Sequence, residues 1–306
     1  MSSKFEVIDV HVHTYPTAQI GLQAMSGINH CGFVGLPEES LAVMAKGLIS
    51  KTAMLNLTPV AEMTAASRAK YPKNMTPEEK EKAEKELATT MTGRIFRRNK
   101  WTCDTAKTYP SLIPFISIDP IMDTESMVKA INEGVACGAK GIKLHPGAGY
   151  FYPNHRTLWP AYRRAQDLGL PIIAHSGRFF HPENIMFAQP RHFEDVAINF
   201  PKLKLGLAHL GNGFLDETRI LAQKYPNLFF DCSVVISPRE GDPALKLKAE
   251  DLVELMRFIG VERVLFGTDF PWYDPNDCVK RVEALPLSLE EKRLIFADNA
   301  KRILQL

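Results

Sequence analysis

At 306 residues the chain has room for two domains of about 150 residues, or for one α/β barrel of about 200–250 residues or more. Its 37 Lys+Arg and 35 Asp+Glu leave a formal net charge of +2, and 45% hydrophobic residues can fill a sizeable core. A disordered chain is thereby excluded, and a nucleic-acid binder, whose footprint is a basic excess, is not expected.

In chain order, MSSKFEVIDVHVH runs straight into a strand pattern with no apolar leader, so no signal peptide is expected. The first strand, residues 6–12, closes on Asp9-Val10-His11-Val12-His13. Alternate strand residues face the same side, so His11 and His13 point together, close enough for two imidazoles to grip one ion. Zinc, iron and manganese all accept such nitrogen ligands. Taken alone, the pair fits an ordinary hydrogen-bonded core equally well. Residues 10–37 lack Asp, Glu, Lys and Arg, but their glycines and three histidines rule out a membrane helix. Residues 14–37 are expected to form an enlarged loop above the first strand, a candidate lid or substrate wall.

After a second strand at 51–57, Thr76-Pro77-Glu78-Glu79 forms a capping box with proline at the first helical position. Glu78 with Lys82 and Glu81 with Lys85 are spaced to pair along one solvated face. The basic run from Arg94 to Lys100 is expected to continue this surface helix rather than to meet an acidic partner. A helical elaboration therefore separates strands two and three. Strands three and four, at 112–118 and 139–145, flank a helix at 123–137 with apolar Met127, Ala130, Ile131 and Val135. In Ile142-Lys143-Leu144-His145, Lys143 and His145 share a strand face.

Strand five, 170–175, ends in Ala174-His175-Ser176-Gly177 and is followed by Arg178; strand six, 203–209, ends in Ala208-His209-Leu210-Gly211. Strand seven, 228–234, precedes a loop carrying Arg239, and strand eight, 263–268, leads into Asp269-Phe270-Pro271-Trp272. Helical patterns at 158–168, 215–224 and 248–259 alternate with them. Runs such as LPIIAH and VLFGTD suit parallel strands buried on both faces. Eight strand–helix units predict a single (β/α)8 TIM barrel spanning residues 1–306, with a doubly wound sheet as the alternative. Splitting the chain would part His11 and His13 from Asp269. In a barrel the carboxyl ends of all strands converge on one face, which gathers these imidazoles and the carboxylate.

Five scattered cysteines without a CxxC pair read as reduced thiols of a cytoplasmic protein. His30, His155, His181 and His192 read as surface imidazoles. There is no GxGxxG after strand one, no GxxxxGK[ST] and no GxSxG, so dinucleotide and serine-nucleophile chemistry find no support.

The ordered set IDVHVH, GIKLHP, AHSG, AHLG, GTDFPW and NAKRIL resembles the metal-dependent amidohydrolase superfamily. Within it the set is most similar to the amidohydrolase 2 group, which includes aminocarboxymuconate-semialdehyde and γ-resorcylate decarboxylases. The resemblance implies that His11, His13, His175 and Asp269 ligate one divalent metal, expected to be zinc with manganese or iron as alternatives. His209 would orient the metal-bound water or polarise substrate, and Asp269 would act as base beside the ion. In some relatives a carboxylated strand-four lysine bridges two metals. Here Lys143 is expected to bind a substrate carboxylate or an interior partner instead, and no second metal is expected. His145, Arg178, Arg239 and Trp272 are candidate substrate contacts. The leading expectation is hydrolysis of a small amide, ester or lactone; the alternative is nonoxidative decarboxylation of an aromatic or muconate-like carboxylic acid. The expected partners are a small molecule and, as in relatives, a second copy of the chain, with no nucleic acid or membrane.

Overall fold

The computed structural model describes residues 5–25, 31–47, 49–178, 182–236 and 247–306. The apolar runs form eight strands: β1 Ile8–Val12, β2 Lys51–Leu55, β3 Leu112–Ser117, β4 Gly141–Leu144, β5 Ile172–Ala174, β6 Leu205–Leu207, β7 Leu228–Asp231 and β8 Val264–Leu265. They lie in sequence order in one sheet, each parallel to the next. Parallel neighbours need a crossover, and helices such as Thr124–Ala136, Trp159–Asp167, Leu215–Lys224 and Ala249–Ile259 supply it where expected. The result is a TIM barrel.

The seam between β8 and β1 closes in an unusual way. Val10 N donates to Phe266 O at 2.9 Å, Asp269 N to His11 O at 2.8 Å and His13 N to Phe270 O at 2.7 Å. Between these rungs a side chain replaces the ladder: Asp9 accepts from Thr268 N at 3.1 Å, Thr268 Oγ1 at 2.5 Å and His11 N at 3.0 Å. On its other side, against β2, the register of β1 also shifts between Asp9 and Val12.

Two apolar layers hold the barrel. Ile8, Val10, Leu55, Phe115, Ile173, Phe229 and Leu265 pack inside it together with Ala300, Ile303 and Leu304 of the C-terminal helix Asn299–Leu304. Ile116, Ile142, Leu144, Ile172, Leu207 and Phe230 pack against the surrounding helices. Lys140 and Lys204, each just before a strand, donate to Gln305 O and Ile303 O, which places the C-terminal helix at the amino-terminal end of the barrel.

Both expected elaborations are present. The segment after β1 carries helices Ala18–Ala24 and Pro37–Met44. Between β2 and β3 lie Val60–Arg68 and the 32-residue helix Pro77–Thr108, opened by the Thr76–Glu79 capping box. Of the charge pairs expected there, Glu81–Lys85 forms at 2.7 Å. Val135, expected in the apolar face of its helix, is exposed, and Gly134 is buried against Ile116 instead. Cys103 and Cys137 form a disulfide with Cα atoms 6.0 Å apart, which corrects the expectation of five reduced thiols. Only the packing of their two helices brings together residues 34 apart in sequence. Among the described residues no helix is long and apolar enough to cross a membrane.

Candidate metal centre at the barrel mouth

Strands end abruptly at the carboxyl face. His209 (φ 60°), Leu210 (φ 50°), Val234 (φ 67°) and Asp269 (φ 62°) are all left-handed, a conformation uncommon for non-glycine residues and an outlier for β-branched valine. Each such residue costs about 1–3 kcal/mol and persists only where its surroundings impose it. Here the turns hold His209 and Asp269 against the other histidines of the mouth.

His11 Nε2 and His13 Nε2 lie 3.5 and 3.3 Å from Asp269 Oδ1. One ligand atom from each of these three residues lies within 4.8 Å of the others, and His11, His209 and Asp231 make a second such group. Two imidazoles and a carboxylate, buried and convergent, suit a divalent ion. His175 sits one imidazole further on: its Nδ1 is 3.1 Å from His209 Nε2. His145 lies just past β4, where it caps the short helix Pro146–Gly149 by accepting from Ala148 N. Its ring is nevertheless in the cluster, stacked on His175 with centroids 4.1 Å apart and planes 9° apart. Lys143 does point inward, its Nζ 3.0 Å from His11 Nε2.

The electrostatics follow from burial. Desolvation, helped by the Lys143 charge, pushes His11 down to about 3, so the imidazole is neutral and able to ligate. Burial pushes Lys143 down to about 8 against the charges of Asp269 and Asp231. Burial would raise Asp269, but the hydrogen bond from His13 and its electrostatic interaction with the neighbouring imidazoles hold it well below the usual carboxylate range. Among the His11, His13 and Asp269 side chains, Asp269 is the most open, at 16% exposed against 1% and 9%.

Three residues escaped the sequence reading. Asp231, at the end of β7, accepts from His11 Nδ1 at 3.0 Å and from His209 N at 3.2 Å. Ser233 Oγ is 2.8 Å from His209 Nδ1 and 3.2 Å from His11 Nδ1, and it donates to Asp231. Asp231 thereby sets the His11 tautomer that leaves Nε2 facing the mouth. A signal existed: Phe229 faces the barrel interior, and a residue two further along the strand faces the same way. The third is Asp9 of the seam.

Among the remaining candidates, Trp272 meets His13 edge-on at 5.4 Å between ring centroids. Arg178 is exposed and lies over Gly213 rather than in the cluster. Arg239, with His30 and His181, lies outside the described residues. His192 packs against Tyr152.

Residues 8–306 match the amidohydrolase 2 family, described as Amidohydrolase. The chain belongs to this family and is an enzyme of the amidohydrolase superfamily, a hydrolase or a carboxy-lyase. No curated protein matches it. Among solved structures, a TIM-barrel protein from Bordetella bronchiseptica, described as uncharacterized, is 18% identical, with a TM-score of 0.72 over 98% of this chain and 99% of that one. A dihydroxybenzoic acid decarboxylase from a Polaromonas species, with bound manganese and the inhibitor 2-nitroresorcinol, is 15% identical with a TM-score of 0.72, over 99% and 97% of the two chains. A 5-carboxyvanillate decarboxylase from Sphingomonas paucimobilis is 15% identical with a TM-score of 0.67, over 99% and 100%. At these identities the likeness establishes the shared fold.

Proposed function

We propose that the protein is a nonoxidative decarboxylase of a small aromatic carboxylic acid, using one divalent metal held by His11, His13, His175 and Asp269. Manganese and zinc both suit this donor set, and the manganese bound to the Polaromonas relative favours trying it first. Decarboxylation, the alternative of the sequence reading, thus moves ahead of hydrolysis, supported by decarboxylases of similar fold along the whole chain. The observation in the site itself that carries it is the buried Lys143 ammonium 3.0 Å from His11: a fixed cation among the ligating groups suits an anionic substrate better than a neutral ester or amide.

Held by His11, His13, His175 and Asp269, a divalent ion would supply Lewis-acid stabilisation of the negative charge that develops on the substrate. Lys143 then orients the carboxylate. Asp269, the most open of the three grouped side chains, delivers a proton to the ring carbon that bears it. The arriving anion raises the Asp269 carboxyl by like-charge repulsion, so that it can take up the proton that each turnover consumes. The carbon–carboxylate bond then breaks, its electron pair returns to the ring and carbon dioxide leaves. His209, held by Ser233 and His175, orients the reacting group. The protein should be loaded with manganese or zinc and given a panel of hydroxybenzoates, esters, lactones and amides. Carbon dioxide release from a hydroxybenzoate supports the reading. Hydrolysis of an ester, lactone or amide without any decarboxylation would replace it with the hydrolase.

A further inference from the structure

The basic run in helix Pro77–Thr108 does not simply continue a solvated face, because Arg98 turns inward. Its Nη2 donates to the carbonyl of Thr14, the residue after His13. The other polar groups of Thr14 are held by Asn56, just past β2. Thr14 N donates to Asn56 Oδ1 at 2.9 Å. Thr14 Oγ1 donates to the same oxygen at 3.2 Å and accepts from Asn56 Nδ2 at 3.1 Å. Nδ2 also donates to Thr102 Oγ1 at 3.0 Å, and that hydroxyl donates in turn to Arg98 O at 3.0 Å. Thr14, Asn56 and Thr102 are all fully buried, and the amide has used its acceptor and both of its N–H donors. The helix is itself anchored along this stretch. Asn99 exchanges two hydrogen bonds with the Ser117 backbone at the end of β3, and Cys103 is bonded to Cys137.

His11 lies inside β1, but His13 falls one residue past its end. The pairing of β1 with β2 ends at Val12 and Met54, two residues short of Thr14 and Asn56. On the β8 side, His13 N donates to Phe270 O at 2.7 Å. On the β2 side the Asn56 amide takes over from the ladder. Because a peptide group is planar, holding Thr14 N holds the whole unit that follows the His13 Cα. The peptide units before and after that Cα are thus both fixed, and with them the direction in which the imidazole leaves the backbone. Replacing both partners of a buried hydrogen bond by apolar groups is often nearly neutral for stability. Packing alone therefore does not call for an amide between two threonines here. What the amide adds is direction.

We propose that Asn56 is a positioning residue of the metal centre: it fixes the ligand His13 through Thr14 and takes its own orientation from Thr102 of the long helix. This rests on the reading of His13 as a ligand, but not on decarboxylation. The helical elaboration after β2 then serves the centre from outside it, since none of its side chains need touch the ion.

The test is competition titration of manganese against a chelator with the full-length protein, beside urea unfolding of the metal-free form. Wild type is compared with His13→Ala, Asn56→Leu, Thr102→Val and Thr102→Ser. Groups that orient a ligand are worth about 10–100-fold in metal affinity, so Asn56→Leu should weaken manganese by about tenfold, the low end of that range. Thr102→Val, one hydrogen bond further away, should weaken it by about threefold, while Thr102→Ser keeps the hydroxyl and should bind as wild type does. Wild-type affinity in Asn56→Leu or in Thr102→Val overturns the proposal, whatever happens to unfolding, and leaves the network a purely structural one. Thr102→Ser as weak as Thr102→Val also overturns it, because bulk and not the hydroxyl would then matter. Should Asn56→Leu fail to fold, the two Thr102 variants decide alone. His13→Ala separates the two readings. If it binds manganese as wild type does, the ligand set has failed; if it loses the metal while Asn56→Leu keeps it, only the role of Asn56 has.

Discussion

Asp231→Asn probes the centre through a residue outside the proposed ligand set. The carboxylate accepts from His11 Nδ1 at 3.0 Å, His209 N at 3.2 Å and Ser233 N at 3.1 Å. An asparagine keeps the shape but can present its amide nitrogen to His11, which would then carry its proton on Nε2, the nitrogen that faces Asp269 and Lys143. Groups that orient a ligating histidine in this way are typically worth about 10–100-fold in metal affinity, or about 1.4–2.7 kcal/mol. Losing one acceptor from a buried network costs about 1–3 kcal/mol of fold stability as well. The two effects separate experimentally. Competition titration of manganese against a chelator reads affinity, and urea unfolding of the metal-free protein reads stability. Loss of stability with unchanged metal affinity would refute the argument that Asp231 sets the His11 tautomer.

Other expectations follow from the same geometry. Asp269→Asn should abolish turnover and weaken metal binding; a variant that turns over normally would remove Asp269 from the reaction. Metal analysis of the purified protein should show one equivalent, and chelation should lower the unfolding temperature because a ligand of the native state stabilises it by mass action; two equivalents would instead point to a carboxylated Lys143 bridge. Asp119, just past β3, is raised by burial from 3.8 to about 6, opposed by one backbone hydrogen bond from Ile121. Its native state therefore holds the proton more tightly than the unfolded chain, so its contribution is full below pH of about 4 and falls as pH rises to about 6. Asp119→Asn should remove that slope from the pH dependence of unfolding, and an unchanged slope would assign it to other groups. Gly141→Ala places a Cβ 2.1 Å from the Phe115 ring and should destabilise by about 1–3 kcal/mol in urea unfolding.

The barrel was legible because parallel strands buried on both faces leave short apolar runs, and all eight were found. Strand ends were read too long. Strand eight was expected to run to residue 268 but the regular strand stops at Leu265; beyond it Thr268 bonds to the Asp9 side chain and Asp269 turns left-handed. Hydrophobic periodicity carries no sign of such a substitution. His11, His13, His209 and Asp269 stood out because their residue types are rare at strand ends. Asp231 did not: it lies inside the run expected as strand seven, and nothing local shows that it meets His11 of β1. Arg98 was hidden for a different reason: a helix charged on several faces does not reveal which one meets the barrel. The Cys103–Cys137 pair had no motif at all, since its proximity is purely tertiary.

The Asp9–Thr268 clasp joins residues 259 apart in the chain. During synthesis, His11 and His13 emerge early, yet their carboxylate partner is the last donor to appear. A nascent chain stalled anywhere before strand eight would hold an open sheet edge and a pair of histidines with no Asp269 between them. Barrel closure and assembly of the donor set are thus one event, so a chain able to grip an ion tightly is one whose first and last strands have already met.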